Sequence, residues 1–105
     1  MRLKAGVKFG DSTMAICFAA MVIDSIYNDY NYDCVITSVN DSKHGTNSLH
    51  FKNCAFDVRT KNILVPEHKD KIFEAIKASL TAEFDIIFES RNKDNEHIHL
   101  ELDPQ

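Results

Sequence analysis

Hydrophobic and polar residues recur along this chain with two different periods, and the longer period predicts two helices. An almost unbroken apolar run extends from Met14 to about Tyr27, directly after the side-chain oxygens of residues 11–13. Such oxygens are typical of a helix N-terminus, and apolar residues on most sides predict a helix buried in the core. Pro66 suits the first turn of a second helix. In this second helix, the apolar residues that recur at helical spacing are Ile72, Phe73, Ile76 and Leu80. The lysines predicted to face water are Lys69, Lys71 and Lys77.

The shorter period predicts the strands. Stretches that alternate, or that are rich in β-branched residues, are typical of strands; they are Lys4–Phe9, Cys34–Val39, Ala55–Thr60, Phe84–Phe88 and His97–Leu102. The resulting order, β-α-β-loop-β-α-β-β, predicts an α+β fold with a small, mainly antiparallel sheet of about four strands and two to three helices. A chain of 105 residues is expected to form one domain, residues 1–105.

Composition and charge narrow the classes of partner. The net charge is -4 at pH 7 and the twelve Lys and Arg residues form no run. Because there is no basic field to attract phosphates, we expect no nucleic-acid binding. The apolar run that begins at Met14 is too short and too interrupted to span a bilayer, so we expect no membrane insertion. The protein is expected to be a monomer. Cys17, Cys34 and Cys54 are an odd number without metal-ligand spacing, which indicates reduced thiols. The apolar run lacks the features of a signal peptide, so cytoplasmic synthesis is predicted.

The last predicted strand, "HIHLEL", separates two kinds of side chain. Side chains two residues apart share one face of a strand. Apolar residues therefore occupy one face, and His97, His99 and Glu101 occupy the other. This second face carries two imidazoles and a carboxylate.

A second polar pair lies in the middle of the chain, in "SLHFKNCAFD". His50 and Asp57 flank a turn around Asn53, and Asp57 lies on the face of its strand opposite Phe56. If this strand adjoins the last one, His50, Asp57 and His99 come within reach of one point. Two imidazole nitrogens and a carboxylate oxygen are a usual ligand set for catalytic zinc, which leaves a fourth position for a water molecule that the metal activates.

These residues resemble a known family. Ser48, His50, Ala55 and Asp57 occupy fixed positions of the pattern S-x-H-x-x-G-x-A-x-D. That pattern is typical of the zinc D-alanyl-D-alanine peptidases and L-alanyl-D-glutamate endopeptidases, the LAS peptidases, which share their fold with the Hedgehog signalling domain. The resemblance covers roughly the C-terminal two-thirds of the chain. It implies that His50 and Asp57 bind Zn2+ and that Ser48 supports the site.

The second half of the family pattern, E/D-x-x-H, is matched by Glu96 and His99. The resemblance implies that His99 is the third zinc ligand and that Glu96 is the general base. Strand alternation nevertheless places Glu96 on the face opposite His99, whereas Glu101 already shares the histidine face. His97 is a rim residue or has a supporting or substrate-binding role.

The chain departs from the family at two points. Asn53 stands in place of the glycine of the turn, a position where asparagine tolerates positive φ best after glycine. The arginine with which many family members bind substrate has no clear equivalent, although Lys43, His44 or Arg59 could replace it. The substrate class therefore depends on residues outside the motif.

The resemblance implies a zinc metallopeptidase that cleaves stem peptides of bacterial peptidoglycan next to D-amino acids, as an endopeptidase or a carboxypeptidase. The small size and lack of a signal peptide are typical of a bacteriophage or prophage lytic enzyme that acts at the cell wall. The alternative is a non-catalytic zinc-binding domain of the same fold, in which the metal holds the structure together and the surface binds a partner. A third possibility is an α+β domain without metal.

Overall fold

The computed structural model describes residues 1–9, 14–40 and 54–102 of the chain. The elements in chain order are β1 (Arg2–Leu3), α1 (Met14–Asp29), β2 (Val35–Asn40), β3 (Ala55–Arg59), α2 (Pro66–Ser79), β4 (Phe84–Glu89) and β5 (His97–Leu102).

The strands form one mixed sheet in the order β1-β2-β3-β5-β4. β1 pairs with β2 in parallel, and every other neighbouring pair is antiparallel. The predicted α+β class is therefore confirmed, with two helices and five strands in the described residues. The predicted strand at Lys4–Phe9 is wrong, because the strand is Arg2–Leu3 and its pairing is made with the backbone of β2.

Both helices pack on one face of the sheet, where they form the core. Ile23 of α1 and Ile76 of α2 are fully buried in the same cluster as Phe56 of β3 and Leu100 of β5. Apolar residues recur at alternate positions of β3 and β5, so burial of one face follows from the pleat of the strands. Tyr27, at the end of α1, fixes the helix to the sheet because its hydroxyl donates a 2.8 Å hydrogen bond to the carbonyl oxygen of Arg59.

The first helix is less buried than the sequence predicts. Met14, Phe18 and Met21 have exposed fractions of 90%, 59% and 64%. These positions follow a spacing of four and three residues, so they form one apolar stripe on the side of α1 away from the sheet. No helix in the described ranges is long and apolar enough to cross a membrane.

The second face of the sheet is covered by no helix that the structure describes, and we call it the open face. Alternation places on it the side chains that point away from the core: Asp57 and Arg59 of β3, Asp85, Ile87 and Glu89 of β4, and His97, His99 and Glu101 of β5.

Candidate metal centre

Asp57 and His99 meet in the middle of the open face. The antiparallel register of β3 and β5 pairs these two residues directly. Side chains at paired positions of neighbouring strands come within a few ångströms of each other. The Asp57 Oδ1 atom lies 2.7 Å from His99 Nδ1, which is the length of a charge-assisted hydrogen bond. Two of the three predicted zinc ligands are thus in contact.

His97 joins this pair from the preceding position of the same face. Its Nε2 atom lies 3.8 Å from Asp57 Oδ1. Its other ring nitrogen, Nδ1, lies 2.7 Å from the backbone carbonyl oxygen of Asn95. Because a carbonyl oxygen only accepts, Nδ1 carries the proton, and Nε2 of the neutral ring keeps a lone pair.

Asp57, His97 and His99 could together hold a metal ion. Each offers one ligand atom, and these atoms all lie within 4.8 Å of one another. The three side chains are partly buried, with exposed fractions between 21% and 25%. The site therefore combines partial shielding from water with access from solvent.

His99 lies between two carboxylates. Its Nε2 atom is 3.3 Å from Glu101 Oε1, on the side of the ring opposite Asp57. Burial alone would lower the pKa of His99, but the hydrogen bonds to Asp57 and Glu101 outweigh burial and raise that pKa. In the metal-free protein, these two acceptors favour the doubly protonated imidazolium.

Glu96, the predicted base, faces the helices. Thr60 Oγ1 donates a 2.6 Å hydrogen bond and Lys69 Nζ a 2.8 Å hydrogen bond to its Oε1 atom, and the Asn92 backbone N–H donates to Oε2 at 2.9 Å. The carboxylate is almost fully buried. Burial raises the pKa of Glu96, but the bonds from Lys69, Thr60 and Asn92 outweigh it, so the pKa is lowered. Glu101 is the acidic residue of β5 that contacts His99.

A wide cavity of about 720 Å³ borders the cluster on the side of β1 and β2. Asp57 and His97 form part of its wall, next to Glu96. It is also lined by three cationic residues, Lys4, Arg59 and Lys61. Their side chains form no salt bridge with another described residue.

The remaining predicted residues cannot be compared with this geometry. Ser48, His50 and His44 lie outside the described residues, as does Asn53 of the predicted turn. The second imidazole that the structure brings to Asp57 is that of His97, for which the sequence favoured a rim or supporting role. Glu89 was not predicted at all, although it lies across from His97 in the sheet. The alternation of "FDIIFE" places Glu89 on the same face as the histidines once the neighbouring strand is known.

Comparison of the chain with protein-family models, with curated proteins and with solved structures finds no match.

Proposed function

We propose that this protein is a zinc-dependent peptidase that cleaves stem peptides of bacterial peptidoglycan next to D-amino acids. The observation that carries the proposal is the pairing of Asp57 with His99, two residues of the family pattern that are separated by 42 positions in the chain. Two imidazoles and a carboxylate are nitrogen and oxygen ligands of the kind that zinc binds at catalytic sites. The metal would be held by Asp57 and His99, with a second histidine.

The geometry favours His97 as the second histidine, whereas the family resemblance implies His50. His97 is supported by its 3.8 Å approach to Asp57 and by the bond from Nδ1 to Asn95, which leaves Nε2 free to bind a metal. Such an acceptor on the distal nitrogen is typical of metal-binding histidines. His97→Ala is therefore expected to weaken zinc binding, and His50→Ala tests the ligand that the motif implies.

Bound zinc would polarise the scissile carbonyl and activate a water molecule for attack. The residues of the chain supply the positioning. Glu101 accepts from His99 Nε2 and so fixes the ring with Nδ1 towards Asp57. Glu101 is also a carboxylate on the same face as the cluster, so we propose it, rather than Glu96, as the acidic side chain that supports catalysis.

The cavity beside the cluster supports a substrate with an anionic group. Lys4, Arg59 and Lys61 line it without a salt bridge to any described residue. The cavity is also lined by three carboxylates, Asp57, Asp94 and Glu96, of which Glu96 is paired with Lys69. A peptide with a free carboxylate would pair with these cations while its scissile bond lies over Asp57 and His97. Peptidoglycan stem peptides provide such carboxylates. Arg59 would then serve in place of the family arginine, with His44 as the other predicted candidate.

One observation favours the alternative of a non-catalytic zinc-binding domain. The carboxylate that the motif assigns as base, Glu96, is engaged by Thr60, Lys69 and Asn92 on the helix side of the sheet. A chain that has lost catalysis would retain the metal ligands but have no need of a base. In that case, the open face would bind a partner.

Assays with purified peptidoglycan distinguish the peptidase from the non-catalytic zinc-binding domain. The zinc-loaded wild-type protein is expected to release new amino termini. Asp57→Asn is expected to release none, because a metal ligand is lost. Glu101→Gln is expected to release them roughly ten- to a hundredfold more slowly than the wild type. Glu96→Gln tests the general base that the motif implies, because the glutamine side chain has a similar shape but no carboxylate. Release by Glu96→Gln at the wild-type rate would exclude Glu96 as the base. Zinc binding without any release by the wild-type protein would support the non-catalytic domain.

A further inference from the structure

Glu89 lies at the end of β4, directly across from His97 in the antiparallel pairing of β4 and β5. Phe84, Ile86 and Phe88 of the same strand pack against the core, so the side chain of Glu89 is directed to the open face. It is the most exposed carboxylate of the cluster, with an exposed fraction of 44%. No role in the site was assigned to it by the motif.

The carboxylate of Glu89 approaches the same two nitrogen atoms that Asp57 approaches. Its Oε1 atom lies 3.4 Å from His97 Nε2 and 3.9 Å from His99 Nδ1. Asp57 Oδ1 lies 3.8 Å and 2.7 Å from these nitrogens. The two imidazole nitrogens are therefore enclosed between two carboxylates.

The nitrogen–oxygen separations are on the scale of a tetrahedral zinc shell. With zinc–ligand bonds of about 2.0–2.1 Å, neighbouring ligand atoms in a tetrahedron lie about 3.3 Å apart. The four nitrogen–oxygen distances range from 2.7 to 3.9 Å, on either side of that value. Asp57, His97 and His99 already present ligand atoms within 4.8 Å of one another. Glu89, whose Oε1 atom lies 3.4 Å from His97 Nε2, would join them through a rotation of its exposed side chain.

Both histidines also have a hydrogen-bond acceptor on the ring nitrogen that faces away from this space. His97 Nδ1 bonds the carbonyl oxygen of Asn95, and His99 Nε2 faces Glu101. With a metal bound, these acceptors would hold protons on the distal nitrogens, and the lone pairs of the neutral rings would point between Asp57 and Glu89. Two carboxylates would balance the charge of a divalent cation.

We infer that Glu89 is the fourth ligand of the metal centre, completing a shell of His97 Nε2, His99 Nδ1, Asp57 Oδ1 and Glu89 Oε1. This inference rests on the metal site of the proposed function, but not on its peptidase activity. Glu89 is more exposed than the other three ligands and belongs to an edge strand. It would therefore be the ligand that gives up its position when a water molecule or a substrate binds the metal.

Zinc titration calorimetry and the visible spectrum of the Co2+-loaded protein test the role of Glu89. Glu89→Gln is expected to weaken zinc binding at least about tenfold and to change the cobalt spectrum, because a charged ligand is lost. Glu89→Asp keeps the charge but shortens the side chain, so it is expected to weaken binding as well. Asp85→Asn is the matched control, because it removes the same charge from the same face and strand, and it is expected to stay within twofold of wild type.

Three outcomes overturn the inference. Wild-type affinity in Glu89→Gln, with binding lost in Asp57→Asn, would exclude Glu89 while leaving the proposed metal site intact. Equal weakening in Glu89→Gln and Asp85→Asn, with Glu89→Asp unaffected, would show a general effect of charge and no coordination. Absence of zinc and cobalt binding by the wild-type protein would overturn the inference together with the proposed function. Thermal melting of each metal-free variant shows whether it is folded.

Discussion

His99 would make the proposed metal centre sensitive to pH, because the ring nitrogen that would bind the metal also binds protons. Burial would lower the pKa of His99, but the hydrogen bonds that His99 donates to Asp57 and Glu101 raise it above the ordinary value. A metal can bind Nδ1 only when that nitrogen has lost its proton. The carboxylates that orient the ring therefore also hold a proton that competes with the metal.

We predict that zinc affinity falls by about tenfold per pH unit below the raised pKa of His99, because one proton must be displaced for each ion bound. Calorimetry in two buffers with different ionisation enthalpies measures the released proton. Glu101→Gln removes one of the three carboxylates that raise the pKa of His99, so the fall in affinity should begin at a lower pH. Constant affinity from pH 5 to pH 8 would contradict this role of His99.

Without metal, the effect of pH on His99 has the opposite sign: a low pH, which weakens zinc binding, favours the folded state. A raised pKa in the folded state means that protonation favours folding. This contribution is fully present below the unfolded-state pKa of about 6.5 and is lost as the pH rises through the folded-state value. Comparison of urea unfolding of the metal-free wild type and His99→Gln at pH 6 and pH 9 should show a larger difference at pH 6.

At the scale of elements, the Glu96–Lys69 pair connects α2 to the entrance of β5. Glu96 also accepts from the Asn92 N–H, so one carboxylate holds the β4–β5 connection against the helix. His97 begins β5 at the next residue. This pair therefore positions the strand that carries both histidines.

We predict that Lys69→Ala lowers the free energy of unfolding by about 3 kcal/mol, since it leaves a buried carboxylate without its cation. Lys71→Ala, an exposed position on the same helix, should change it by less than about 0.5 kcal/mol. Because the folded-state pKa of Glu96 is lowered, its contribution is present above the unfolded-state pKa and is lost as the pH falls through the folded-state value. Equal urea midpoints for the two lysine variants would show that the pair does not stabilise the fold.

The elements differ in how far the sequence determines them. The strict alternation of "HIHLEL" predicted which face of β5 carries His97 and His99, because a period of two has only one interpretation. Lys69 was predicted to face water, but it binds Glu96, which lies 27 residues away. Helical periodicity contains no information about such a distant partner. The approach of Glu89 to the histidines likewise depends on the order of strands, which a local pattern does not specify.

At the scale of the whole molecule, the proposed metal centre would join β3, β5 and, through Glu89, the edge strand β4. These strands come from different parts of the chain, and their pairing is complete only in the folded protein. An ion bound by all of them binds the folded state and not the unfolded chain. Zinc should therefore stabilise the domain by mass action.

We predict that free zinc at one hundred times its dissociation constant raises the free energy of unfolding by about 2.7 kcal/mol. For a domain of about 100 residues, this corresponds to an increase in melting temperature on the order of 10 °C. A chelator should reverse the increase, and Asp57→Asn should abolish it without loss of the metal-free fold, because Asp57 is partly exposed and belongs to the open face rather than the core. A melting temperature that is independent of zinc and chelator would instead indicate an α+β domain whose histidine cluster binds no metal.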